Sequence, residues 1–169
     1  MNAFHLVSQF RKMLRNLDTC LEKTVQHAKA KSFEPDVLVV ARLAPDQFSL
    51  DRQIQSACDA AKYAAAYLGN KQPPSHPDTE KTIAELRQRI ATCLGYLETF
   101  KESDFAGADD RKVAPPWLKG KWLRGEDYLL QGAAPNFFFH VTTAYAILRH
   151  NGVPLGKMDY LGALPVREG

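Results

Sequence analysis

Leu6, Phe10, Leu14, Leu17, Leu21, Val25 and Ala28 recur three or four residues apart, the spacing that places side chains on one face of an α-helix. Polar residues such as Arg11, Arg15, Asp18 and Glu22 fill much of the remaining circumference. A long amphipathic helix has to bury its stripe against other elements. Here the best partners are three further segments with the same period.

The first helix is expected to fade around Lys31, before "SFEPD", because Pro35 disfavours helical geometry in the residue before it. A second follows "LAPDQFSLD", with a face of Ile54, Ala57 or Cys58, Ala61, Ala64 or Ala65, and Leu68, and a stop at Gly69-Asn70. Its many alanines let a neighbour approach closely or leave room for a cavity. The proline-rich "NKQPPSHPD" is a loop. Asp78 or Thr79 is the expected N-cap of a third helix, with Glu80 in its first turn and a face of Ile83, Leu86, Ile90, Cys93 or Leu94, and Leu97.

The fourth helix is "PNFFFHVTTAYAILRHNGV", Pro135 to Val153, with Pro135 in its first turn and Asn151-Gly152 as its stop. It is apolar nearly all round and is expected to be buried over most of its circumference. Between the third and fourth helices runs a long connection, Lys101 to Gly132. Within it "WLKGKWL" predicts a short two-stranded ribbon or an ordered cover over one end of the bundle. The fold class expected is therefore all-α, a helical bundle of four helices, with residues 1–169 as a single domain.

The totals agree with a folded domain: 169 residues, 45% apolar and 24% charged, exclude general disorder. A net charge of +3 is too small to argue for nucleic acid. No run approaches a membrane span, and the N-terminus lacks a signal-peptide pattern. Cys20, Cys58 and Cys93 are far apart and beside apolar neighbours, which predicts buried reduced thiols and a cytoplasmic location. There is no P-loop, dinucleotide glycine fingerprint, G-x-S-x-G elbow or H-E-x-x-H.

Asn136 and His140 are four apart, on one face of the fourth helix. A lone buried histidine is most often a satisfied core residue. The alternative is a metal ligand or general base, since imidazole binds metals and titrates near neutral pH. Asp46, Asp51, Gln53 and Gln55 at the entrance of the second helix are the candidate partners, with Gln53 close to the edge of its core face. One imidazole and two amide oxygens make a poor transition-metal site. His5, His27, His76 and His150 have no ligand spacing and are expected in solvated roles. Trp117, Trp122, Lys119, Lys121 and Arg124 suit a bundle cap better than a stacking platform for single strands.

"LAPDQFSLDRQIQSACDAAK", "PNFFFHVTTAYAILRHNGVPLGK" and "DYLG" resemble a bacterial family of unknown function within the DinB-like (DinB/YfiT) superfamily of proposed metalloenzymes. The resemblance runs from Leu6 to Gly162. It implies an antiparallel four-helix bundle with a long crossover, commonly a homodimer. Metal-binding members carry three histidines, whose positions correspond here to Gln53, Asn136 and His140. The divalent metal expected of the superfamily, Zn, Ni or Mn, is therefore weak or absent in this chain.

Some relatives are thiol-dependent transferases or metal-dependent hydrolases. The leading expectation is thus a small-molecule binder or enzyme with His140 as general base or metal anchor. Asp46, Gln53, Asn136 and Tyr145 would be its pocket. The competing expectation is a non-catalytic dimeric interaction or stress-response module, in which the Asn136–His140 pair only satisfies buried hydrogen bonds. An open cavity beside His140 would favour the first. A filled core with His140 on a backbone carbonyl would favour the second.

Overall fold

The structure, a computed structural model, describes residues 2–167 and is mostly helical. The first apolar stripe forms α1 (Ala3–Lys31), ended by Ser32 in the left-handed conformation with φ 57°. The alanine-rich segment forms α2 (Leu50–Leu68) and the third forms α3 (Ile83–Glu98). Short strands β1 (Lys112–Val113) and β2 (Leu123–Arg124) pair antiparallel around the Trp–Lys turn. The chain then enters α4 (Gly125–Asp127), a π-helical stretch (Tyr128–Ala133), α5 (Ala134–His150) and the short α6 (Lys157–Leu161).

The apolar faces meet in one core. Phe10 at its centre is fully buried against Phe137, with ring centroids 4.2 Å apart. Helices α1 and α2 each pack against both α3 and α5, and α6 lies along α1. There Lys23 pairs with Asp159 at 2.5 Å. The connection is docked at Gly125, where a Cβ would fall 1.8 Å from the Ala108 carbonyl oxygen, so only glycine fits. Cys20, Cys58 and Cys93 are free and buried. Burial, helped by the Asp159 charge, pushes the Cys20 thiol up to about 11. Among the described residues no helix is long and apolar enough to cross a membrane.

Two local expectations are corrected and a third is extended. The N-cap of α3 is Thr82 rather than Asp78 or Thr79, in a reciprocal capping box with Glu85. Asp78 and Glu80 are drawn instead to Arg52 and Arg89. Pro135 does stand in the first turn of α5, but the chain is already helical before it, because helical turns run on from Gly125. The Ala134 N–H donates to the Leu129 carbonyl, five residues back, and this wide turn admits a proline that a regular interior turn would reject. Finally, α5 is not enclosed all round. Asn136 and Thr142 are exposed and Phe139 is 54% exposed, whereas α2 takes the enclosed position.

Candidate functional site

From Gln53 to Leu68 every residue of α2 is buried except Ser56, Asp59, Tyr63 and Tyr67. Their spacing of three and four makes one stripe along the helix. All four line a cavity of about 1060 Å³, so the one opening in the wall of this helix is the cavity itself. The facing wall is a second stripe, Tyr128, Gly132, Asn136 and His140, running through the π-helical turns into α5. Ala60 and Gly132 leave the space open, and Pro116 and Trp117 of the connection cover one side.

His140 stands at one end of this wall, 8% exposed. Its Nδ1 lies 2.8 Å from Oε1 of Gln53, which is fully buried. The Gln53 Nε2 lies 3.2 Å from the Phe48 carbonyl oxygen. A carbonyl can only accept, so the group facing it must be the amide NH₂, and the Gln53 oxygen is thereby turned to the imidazole. That oxygen also only accepts, so the proton sits on Nδ1 and the lone pair on Nε2. Among the described residues Nε2 has no partner, yet it is not sealed from solvent.

The Phe48 ring lies parallel to the imidazole at 6.5 Å and Phe139 meets it edge-on at 5.2 Å. Burial pushes His140 below its ordinary 6.5, so the ring is neutral at pH 7 with its basic nitrogen available.

Further along α2 lies a charged cluster. Lys62, 1% exposed, donates to Asp59 Oδ1 at 2.7 Å. Arg89 of α3 donates to the same oxygen at 2.9 Å, to Asp78 at 3.2 Å and to Glu80 at 3.1 Å. Arg52 completes the set on Asp78 at 2.7 Å. Burial works against the Arg89 charge, but the Asp59 and Glu80 carboxylates outweigh it and raise the guanidinium above its ordinary value.

The structure brings Gln53 and His140 into contact and places Asn136 on the same cavity wall. It does not bring Asp46 or Tyr145 there. Asp46 is exposed in the turn before α2. Tyr145, five residues beyond His140, points to another side of α5 and meets Tyr160 with ring centroids 5.8 Å apart. Asp59, Tyr63, Tyr67, Tyr128 and Trp117 are cavity residues that the sequence reading did not select. The signal for the α2 residues was present: a polar and aromatic stripe at helical spacing opposite the alanine face.

The donor set does not fit a tightly held divalent ion. The Gln53 oxygen is committed to the imidazole N–H, on the ring nitrogen opposite the one that could ligate. Asn136 offers only an exposed neutral amide. Among the described residues no group of three His, Cys, Asp or Glu side chains gathers as a metal site. Dialysis against EDTA is expected to leave the melting temperature unchanged, and stoichiometric Zn, Ni or Mn should not raise it. A saturable rise of several degrees with any of the three would contradict this.

Residues 5–161 match the model of a domain of unknown function (DUF1993). The chain is also similar to a DinB family member from Shewanella denitrificans, known from a crystal structure. The two share 50% identity and a TM-score of 0.92, over 96% of this chain and 93% of that one. No curated protein matches.

Proposed function

The chain belongs to the DUF1993 family and is a relative of the DinB family, and on that premise we propose that it binds a small molecule in the cavity between α2 and α5, with His140 as the proton acceptor. The observation that carries this reading is the neutral imidazole, fixed by Gln53 so that the Nε2 lone pair is free beside about 1060 Å³ of open space. Such a nitrogen can take a proton from a water or thiol nucleophile, the step that a hydrolase and a thiol transferase share. The interaction-module reading expects a filled core and an imidazole tied to a backbone carbonyl. The cavity and the Gln53 side chain support the binding reading instead.

On this reading α1, α2, α3 and α5 form the antiparallel four-helix bundle of the superfamily, with the cavity on the outer stripe of α2. The packing of α1 and α2 against both other helices supports it. A homodimer and a cytoplasmic location belong to the same reading, the second supported by three free, buried thiols.

Gly132→Leu tests the cavity directly. A Cβ at Gly132 meets only the Tyr128 ring, at 4.0 Å, so the larger side chain has room to grow into the cavity. Replacing a helical glycine should also stabilise the fold by roughly 0.5–1 kcal/mol. With indole as a neutral probe, wild type is expected to give a saturation-transfer NMR signal that the folded Gly132→Leu protein loses. Indole binding that ignores the plug, or no indole binding by wild type, would sink the reading.

A further inference from the structure

We infer that the cavity selects an aromatic amine, taking the ammonium at Asp59 and the ring against Tyr67, Tyr128 and Trp117; this rests on the binding reading above. Asp59, Asp78 and Glu80 present six carboxylate oxygens, and five of them accept from Arg52, Gln55, Lys62 or Arg89. The sixth, Asp59 Oδ2, has no donor among the described residues, because Lys62 and Arg89 both converge on Oδ1. Asp59 lies on the one stripe of α2 that is not buried, and that stripe lines the cavity. With the Asp59 side chain 29% exposed on that stripe, this oxygen is open to a donor from the cavity.

The cations tell the converse story. Arg52, Lys62 and Arg89 are each paired with a carboxylate, so the cluster balances at zero net charge and presents no excess positive charge to an anionic ligand. His140 Nε2, on the same cavity, is likewise an acceptor with no partner among the described residues. A carboxylate or phosphate would set lone pairs against both, whereas an N–H-rich ligand satisfies them. Asp59 lies six residues beyond Gln53, about 9 Å along the helix, so it stands between His140 and the aromatic wall at Tyr67 and Tyr128.

The wall near Asp59 is aromatic. Tyr63 stacks on Tyr67 at 5.8 Å, and Tyr67 meets Tyr128 edge-on at 5.9 Å. Lys62 already occupies a face of Tyr63, 4.6 Å from its centroid, which leaves Tyr67, Tyr128 and Trp117 for the ligand. Rings beside a carboxylate favour a cation on electrostatic grounds and a flat ring on packing grounds.

Calorimetric titration of the full chain with tryptamine and with 3-indolepropionate, at a pH where His140 is neutral, separates the classes. Tryptamine should bind at least about 10-fold more tightly, the ratio expected of one charged hydrogen bond. Asp59→Asn should shrink that ratio. If this variant fails to fold, because it disturbs Lys62 and Arg89, Tyr67→Leu should weaken tryptamine instead. Equal or tighter binding of the acid overturns the amine class and leaves the cavity reading standing. Indole binding with no preference between the two probes does the same. Failure of indole itself to bind removes both.

Discussion

Arg89→Ala is expected to lose about 3–5 kcal/mol of folding stability, the range for removing one partner of a buried ionic group. The Arg89 side chain is 2% exposed and joins three elements, reaching Asp59 on α2 and Asp78, Glu80 and the Pro77 carbonyl in the proline loop. Without it, the loop keeps Arg52 on Asp78 and Gln55 on Glu80, while Asp59 keeps only Lys62. Three carboxylates then share two cations in a half-buried setting. Urea unfolding measures the loss. A value under about 1 kcal/mol would place the cluster with ordinary surface pairs. Arg89→Lys should recover only part of the loss, because a point charge cannot span several acceptors as a planar guanidinium does.

How far the fold and site can be read from the chain depends on which forces were written locally. Phe10, Leu14 and Leu17, or Ile83, Leu86 and Ile90, bury side chains at a helical period, so their helices are legible from spacing alone. The start of α3 was not legible. Asp78 and Thr79 are good N-caps in isolation, and only the position of Arg89 in space shows why Asp78 is engaged elsewhere. The helical run before Pro135 was hidden for a similar reason. A proline reads as a helix start, but a π-helical turn before it lets the chain arrive already helical.

The site divides along the same line. Gln53 and His140 stood out because polar groups on apolar faces need an explanation, and they meet at 2.8 Å. Asp59, Tyr63 and Tyr67 did not, because polar and aromatic residues opposite an alanine face look like an ordinary solvated side. Only the packing of α2 inside the fold turns that side into the wall of a cavity. The alanines themselves carried the hint, since Ala60 is one of the residues that keeps the cavity open.

Gln53→Glu should reverse the protonation state of His140 and turn its Nε2 from acceptor to donor. In the native protein the neutral amide oxygen holds the Nδ1 proton, and burial keeps the ring below its ordinary value. A carboxylate at that position favours the imidazolium, so Nε2 becomes a donor and the pKa moves above its ordinary value. The same change leaves the Phe48 carbonyl without the amide donor it now has, at about 1–3 kcal/mol.

The pH dependence of stability changes sign accordingly. For wild type, the unfolded chain takes the proton first as pH falls below about 6.5, so the His140 contribution is present above that value and lost as pH falls through the lower folded pKa. In Gln53→Glu the contribution is present below the unfolded pKa and lost as pH rises through the folded one. NMR titration of the His140 ring gives both pKa values directly. The new carboxylate and the imidazolium together carry no net charge, so the change at this end of the cavity is that Nε2 donates to a ligand where it accepted before. A His140 that titrates at the same pH in both proteins would show that Gln53 does not set its protonation.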